Sequence, residues 1–351
     1  MSLIVDIHKD LGGFVLDAAF EAEKGITCLL GASGCGKSLT LKCIAGIEKP
    51  DRGHIELNGR VLFDSEKHIN LPPQERSVGY LFQNYALFPN MTLRQNLLCG
   101  LHRVKDRAEK ERRIRDILAM MRLEGLEKHK SAQLSGGQQQ RAALGRILLS
   151  EPEVLLLDEP FSALDAHLRD SLKIELRDML LRFGREVLMV THSRDEAYTV
   201  SSAIAVMDSG RLFCKKPTKA LFADPGSVQA AILTGCKNIA PAVKLGEYEV
   251  EVPSWGVRLK TSQPVGDGLE AIALRAHYYN PSTPHNRYPV QFVEEMEEPF
   301  ETILQFRYAA QDPASPPIWW RLSKEKRPAA FPAELGIAPV NVLLLYELPN
   351  Q

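Results

Sequence analysis

The rhythm of hydrophobic and polar positions changes along the chain. Residues 3–23 alternate in short runs, such as Ile4-Val5-Asp6-Ile7 and Phe14-Val15-Leu16-Asp17, and predict antiparallel strands. Ile26-Thr27-Cys28-Leu29-Leu30 is a continuous apolar run, as a buried strand requires, and residues 39–44 place their apolar side chains on one side of a helix. Residues 54–57 and 60–63 predict a hairpin closed by Asn58-Gly59, a dipeptide that tolerates the left-handed turn. Pro72-Pro73 breaks the chain, and residues 78–82 form a further strand ending on Gln83. From 92 to 126 the period becomes helical, with Ile114, Ile117, Leu118 and Met121 on one stripe.

The second half of this pattern is more apolar. Val154-Leu155-Leu156-Leu157 has no polar face, which predicts a parallel strand covered on both sides, and it ends on Asp158-Glu159. A long amphipathic helix to about 183 follows. Residues 187–191 predict another buried strand, ending on His192, and residues 204–207 with Asp208-Ser209-Gly210-Arg211 predict a last hairpin. Beyond 238 the chain reads as short strands, the last of them 340–346.

Composition adds a boundary. Of 22 prolines, 14 lie beyond residue 238, as do all three tryptophans, while all six cysteines lie before it. Two domains are expected, 1–235 and 238–351, with a helical subdomain at about 84–150. A net charge of -1 gives no general attraction to nucleic acid, and no nucleic-acid partner is expected. No apolar run approaches the ~20 residues of a membrane span. The start, MSLIVDIHKD, lacks the basic and apolar segments of a secretion signal. The scattered cysteines show no metal-type pairing and are expected as reduced thiols.

The chemistry concentrates at the ends of the apolar strands. Gly31, Ala32, Ser33, Gly34, Cys35, Gly36, Lys37 and Ser38 fit G-x-x-x-x-G-K-[ST] between a predicted strand and helix, the Walker A phosphate loop. Glycines let the backbone aim N–H groups at phosphate oxygens, and the helix N-terminus favours negative charge. Lys37 then reaches the outer phosphates, and the Ser38 hydroxyl is offered to Mg²⁺. Asp158 fits a carboxylate that holds that metal, and Glu159 a base for the attacking water. Leu134-Ser135-Gly136-Gly137-Gln138 opens a helix, with Ser135 placed as its cap. Ser-Gly-Gly alone is a weak signal, because turns use it often.

Taken in order, the loop 31–38, Gln83, LSGGQ at 134–138, VLLLDEP at 154–160, Ser162-Ala163-Leu164-Asp165 and His192 resemble the ATPase subunits of ATP-binding cassette importers. The resemblance covers about 1–235. It implies an α/β P-loop NTPase with a helical subdomain, hydrolysing ATP with Mg²⁺. It also implies a homodimer in which each ATP lies between the phosphate loop of one copy and Ser135, Gly136, Gly137, Gln138 and Asp165 of the other. Carried over, residues 31–38 bind ATP. Ser38, Gln83 and Asp158 attend the metal, and Glu159, His192 and Gln83 serve catalysis. Gln83 also couples the site to a separate membrane permease, at the cytoplasmic face of the membrane, with an extracytoplasmic binding protein as indirect partner. Importers of this class stack adenine on an aromatic residue of the first hairpin. Here that position falls near Leu11-Gly12, with Phe14 the nearest ring.

The tail resembles the regulatory, oligomer-binding (TOBE-type) all-β barrel of importer ATPases, most like the molybdate type, in phrases such as Leu274-Arg275-Ala276 and 318–322. Residues 59–64 before Leu71-Pro72-Pro73 also look molybdate- or sulfate-like. Molybdate or a related oxyanion is the expected cargo, with sulfate, sugar, polyamine and ferric iron as alternatives. The tail is either a cargo sensor, with Arg275, Arg321 and Lys324 as candidates by position, or a packing and dimerisation module. Tyr85, Leu87 and Phe88 form an apolar connection, expected either to dock the permease or to tuck into the helical subdomain. DNA-repair and translation cassettes carry coiled-coil insertions or two cassettes, whereas this chain has one cassette and no heptad run. A plain P-loop kinase or GTPase lacks LSGGQ.

Overall fold

The computed structural model of the chain describes residues 2–162 and 166–347, with backbone alone at 166–168. It divides into two units, Met1–Thr218 and Lys219–Gln351.

In the first unit the alternating start forms β1 (Ser2–Asp10) and β2 (Val15–Glu23), paired antiparallel along their length. Every second residue of β2, Leu16, Ala18, Phe20 and Ala22, is buried, as period-two alternation demands. β3 (Gly25–Leu30) is buried from Ile26 onward and leads into α1 (Lys37–Ala45). β4 (Arg52–Leu57) and β5 (Arg60–Asp64) join through Asn58 and Gly59, both at positive φ. β6 (Ile69–Asn70) and β7 (Val78–Leu81) follow. The helical part comprises α2 (Leu93–Gly100), α3 (Arg107–Met121) and α4 (Gly136–Leu148), with the expected stripe of α3 buried. Then come β8 (Val154–Asp158), α5 (Ala166–Phe183), β9 (Glu186–Thr191), α6 (Arg194–Val200), β10 (Ala203–Asp208) and β11 (Arg211–Pro217).

Among the described residues these strands form one sheet, ordered β6-β5-β4-β1-β2-β11-β10-β3-β9-β8-β7. From β10 to β7 all neighbours run parallel, and β8 and β9 are buried at every residue. The register sets Leu30 beside Thr191, Val190 beside Asp158 and Leu157 beside Leu81. Four strands therefore finish at one edge, where open α/β sheets bind ligands.

Arg76 ties α1 to this sheet. It is fully buried and directs its guanidinium at the helix C-terminus, where Nη1 donates to Cys43 O at 2.8 Å and Ile44 O at 2.9 Å. Nε donates to Leu71 O and Nη2 to Asn70 Oδ1, each at 2.7 Å. A cation here satisfies carbonyls that the helix leaves open and offsets its dipole.

The second unit starts with α7 (Thr218–Ala223) and α8 (Val228–Leu233). The strands β12 (Asn238–Pro241), β13 (Val243–Gly246), β14 (Glu249–Val252), β15 (Val257–Lys260) and β16 (Leu269–Leu274) follow. β17 (Tyr288–Glu297), β18 (Glu301–Tyr308), β19 (Ile318–Ser323), β20 (Glu334–Leu335) and β21 (Leu343–Tyr346) complete it. Among the described residues they make small antiparallel sheets, β12-β16-β21, β13-β14-β15 and β19-β18-β17-β20. One core serves all three, a barrel-like arrangement in which Trp255, Tyr279, Phe306, Tyr308 and Trp320 pack together. Tyr279 meets Phe306 edge-on at 5.1 Å.

The composition shift near 238 marks the first strand of this unit, not its packed edge. Ala231 of α8 clusters with Ala271, Ala273, Leu343 and Leu345, so the preceding helix belongs with the strands. The last strand is shorter than expected. Pro339–Asn341 forms a 3₁₀ turn, and pairing begins at Leu343.

Arg76→Met keeps most of the volume and removes every donor at the α1 terminus. The first unit is expected to lose about 3 kcal/mol, read from its denaturant unfolding curve. A loss below about 1 kcal/mol would show that water replaces the guanidinium.

Candidate functional site

The loop 31–38 has its shape because two positions admit no side chain. A Cβ on Gly31 would lie 2.1 Å from Met207 O and 2.6 Å from Cys35 Sγ, and Gly36 has φ of 104° at the start of α1. Lys37 is buried inside the loop. Its Nζ donates to Gly31 O at 2.9 Å and Ala32 O at 2.6 Å, and lies 3.7 Å from Cys35 Sγ. Burial pushes the Cys35 thiol up despite the nearby ammonium, and it pushes Cys43 up to about 12. Among the described residues no disulfide joins any of the six cysteines.

At the second residue of α1, Ser38 meets the end of β8. Its Oγ donates to Asp158 Oδ1 at 2.6 Å, and the Tyr80 hydroxyl donates to Oδ2 at 2.8 Å. Burial and the adjoining Asp158 carboxylate raise the Tyr80 pKa far above the ordinary phenol value. The phenol stays a neutral donor.

Glu159 and His192 meet at the ends of neighbouring strands, with His192 Nδ1 3.0 Å from Glu159 Oε1. Glu159 has φ of 44°, a left-handed conformation that costs energy in a non-glycine residue and clusters at functional sites. Its N–H donates to Val190 O at 3.1 Å, and Ser162 Oγ donates to its carbonyl at 2.9 Å. On the histidine side, buried Glu196 accepts from Thr191 Oγ1 at 2.5 Å, and Ser193 N–H donates to that same hydroxyl oxygen at 3.0 Å. The turn carrying His192 is thus held from below.

Glu159, Lys37, Ser38, Ser33 and Gly34 line one cleft of about 400 Å³, whose other wall is Leu11 and Phe14 of the first hairpin. That volume lies within the range of small-molecule sites. Phe14 packs on the loop, since its ring edge lies 3.1 Å from where a Gly36 side chain would start, while Leu11 is open to solvent.

The other expected residues lie elsewhere in the unit. Gln83 is exposed just past β7, and among the described residues no hydrogen bond joins it to Ser38, Asp158 or Glu159. Ser135 caps α4: Gln138 N–H donates to its Oγ at 3.3 Å, and Ser135 N–H donates to Gln138 Oε1 at 2.9 Å. Gly137 packs against Leu172, whereas Ser135 and Gly136 are exposed. Asp165, with Ala163 and Leu164, lies outside the described residues.

The apolar connection after Gln83 splits in two. Tyr85 is buried, with burial pushing its phenol up to about 12, and its hydroxyl lies 3.5 Å from Pro160 O. Phe82, Phe88 and Met91 are exposed, and the Arg146 guanidinium lies 5.1 Å from the Phe88 ring centre. Tyr80 and Glu196 had no sequence signal. Neither stands in a recognisable motif, and only strand register brings Tyr80 to Asp158.

Of the tail's basic candidates, Arg275 donates to Thr234 O at 2.9 Å and to Phe222 O. Arg321 pairs with Glu298 and Glu301, each at 3.0 Å, and Lys324 pairs with Glu297. Each is engaged by its own unit.

A lysine-bearing glycine loop, a hydroxyl–carboxylate pair and a carboxylate–histidine pair at one parallel-sheet edge define a P-loop nucleotide hydrolase. The family model described as "ABC transporter" matches residues 17–162. The sulfate/thiosulfate import ATP-binding protein of Chromobacterium violaceum is 40% identical over 253 residues, 72% of this chain and 68% of that one. The molybdenum import ATP-binding protein of Paramagnetospirillum magneticum is 38% identical, covering 64% of this chain and 61% of its own length. The spermidine/putrescine import ATP-binding protein of Methylococcus capsulatus is 42% identical, covering 64% and 58%. The chain thus spans about three-fifths of the length of these last two. A solved dimeric ATP-binding cassette, in a post-hydrolysis state with ADP and Pi, is 26% identical with a TM-score of 0.52, covering 62% of this chain and 99% of that one. The chain belongs to the ABC transporter family, as an ATP-binding ATPase.

Proposed function

We propose that this chain is the ATP-hydrolysing subunit of an oxyanion importer, with molybdate as cargo. The observation that carries the hydrolytic reading is the contact of Ser38 with Asp158 beside the Glu159–His192 pair, in the cleft that holds Lys37. A hydroxyl and a carboxylate in contact are hard oxygen donors, and Mg²⁺ is typically held by one or two carboxylates plus phosphate oxygens. Ser38 and Asp158 fit that donor set, and Gln83, held apart from them in the turn after β7, would have to swing in to complete it. When bound, Mg²⁺ neutralises charge on the phosphates. Residues 31–36 and Lys37 hold the phosphates. Glu159 accepts the proton of the attacking water, and His192 orients Glu159 and contacts the terminal phosphate.

Ser135, Gly136, Gly137, Gln138 and Asp165 act on the ATP of a second copy, so the working unit is a homodimer. The dimeric form of the solved cassette supports this. The exposed position of Ser135 and Gly136 at a helix N-terminus supports it too. The dimer drives separate permease subunits at the cytoplasmic face of the membrane, supplied by an extracytoplasmic binding protein. Among the described residues no helix is long and apolar enough to cross a membrane. Of the connection Tyr85, Leu87 and Phe88, Tyr85 is buried, so the permease-docking surface centres on exposed Phe88 with half-buried Leu87 beside it.

The molybdenum relative supports the cargo, and the sulfate/thiosulfate relative, at 40% identity, favours a second reading in which sulfate is carried. The engagement of Arg275, Arg321 and Lys324 supports a packing or dimerisation role for the tail.

Glu159→Gln is expected to bind ATP and accumulate dimers while turnover falls about 10²-fold or more. Near-normal turnover removes Glu159 from the role of base. Phe88→Glu is expected to weaken association with the permease in pull-down assays and to leave ATP affinity of the isolated subunit unchanged. Full association moves docking elsewhere. Cells lacking the chain are expected to lose molybdate uptake and keep sulfate uptake. The reverse pattern assigns sulfate, and retention of both removes oxyanion import.

A further inference from the structure

We infer that Tyr80 is a positioning residue of the metal site, holding Oδ2 of Asp158 so that Oδ1, on the Ser38 side, is the oxygen presented to a divalent cation. The inference rests on the reading of Asp158 as a Mg²⁺ ligand.

The register explains how Tyr80 gets there. β7 and β8 run parallel with Tyr80 beside Leu156, and Leu156 and Asp158 are two residues apart, so they share a face of the sheet. A tyrosine is long enough to reach the carboxylate diagonally, towards the strand ends. The two oxygens of Asp158 are then occupied by different donors: Tyr80 OH on Oδ2 at 2.8 Å and Ser38 Oγ on Oδ1 at 2.6 Å. Asp158 is buried, so a carboxylate without these donors would lack solvent to replace them.

The donors differ in what they can do next. Ser38 belongs to the phosphate loop's helix, and its hydroxyl is itself a metal ligand in the proposed site. On cation binding that hydroxyl would turn to the metal and free Oδ1. Tyr80 belongs to the sheet, and would keep Oδ2 and hold the carboxylate against rotation. Fixing a ligand through a hydrogen bond to its other atom is a recurrent device of metal sites. The ring would pack equally well without its hydroxyl, since its described aromatic neighbour is Phe82, with ring centres 4.4 Å apart. The hydroxyl, by contrast, is aimed at the carboxylate. Tyr80 also lies three residues before Gln83, which gives the metal site a direct connection to the segment that carries Phe82 and Gln83.

Tyr80→Phe keeps the ring and removes the hydrogen bond. The test is Mn²⁺ titration of the full chain with ATP, followed by the electron paramagnetic resonance signal of free Mn²⁺. ATP affinity in EDTA and the thermal midpoint are measured alongside. Apparent Mn²⁺ affinity is expected to fall about 10-fold, with metal-free ATP affinity at the unsubstituted value and the thermal midpoint lower by no more than the few degrees that one lost hydrogen bond costs. Mn²⁺ affinity unchanged in Tyr80→Phe overturns the inference. A parallel loss of metal-free ATP affinity also overturns it, because the role is then structural. Asp158→Asn separates the two levels of argument. If it leaves Mn²⁺ binding intact, the reading of Asp158 itself fails. If it abolishes binding while Tyr80→Phe matches the unsubstituted chain, only the role of Tyr80 fails.

Discussion

The parallel register of β3, β9, β8 and β7 is the constraint on which the site depends. Each strand is built mostly of apolar residues, with its chemistry at or near the carboxyl end: Tyr80 in β7, Asp158 in β8 and Thr191 in β9. Pairing Leu30 with Thr191 and Asp158 with Val190 makes their polar continuations emerge side by side. A slip of one residue would turn Asp158 to the other face of the sheet and part it from Ser38 and Tyr80. The slip is opposed at the strand ends, where it would draw polar Asp158 or Thr191 into the buried run or push an apolar residue out of it. The apolar core is therefore the alignment device of the site.

Around that core, rigidity and strain are distributed unevenly. The back of α1 is clamped by buried Arg76, whose donors meet the helix carbonyls directly. At the front, Glu159, Tyr85 and Ala86 all have positive φ. Pro160 O lies between them, accepting from Gln140 Nε2 of α4 at 2.9 Å and lying 3.5 Å from the Tyr85 hydroxyl. The helical part, the segment after Gln83 and the strand end carrying Glu159 thus share one carbonyl.

The β unit works by different physics. Its core is aromatic, and its charges are used up in pairs along the β17–β18 hairpin, where Glu295, Glu297, Glu298 and Glu301 meet Arg327, Lys324 and Arg321. Such exposed pairs add little stability each. Their consequence is that an acidic surface offers few uncommitted cations to an oxyanion.

Much of the first unit was legible in the sequence because its signals are local. The glycines of the loop 31–38, the apolar runs 26–30 and 154–157 and the turn Asn58-Gly59 each need only their neighbours to be read, and β3, β8 and the β4–β5 turn lie where those signals put them. Ser135 as a cap is local in the same way. The resemblance added what spacing alone does not contain, the common purpose of residues 31–38, 158–159 and 192. Tertiary structure decided the rest. Nothing near Tyr80 in sequence announces Asp158, because their contact is a product of strand pairing across 78 positions. Arg76 reads as one more charge after a broken turn until the α1 carbonyls are placed over it. Tyr85 and Phe88, alike in the sequence, are buried and exposed because the backbone turns left-handed between them, at Tyr85 and Ala86. Local patterns specify elements because their causes are short-ranged. Partners for a buried polar group are chosen by packing, which the order of residues states only once the chain has folded.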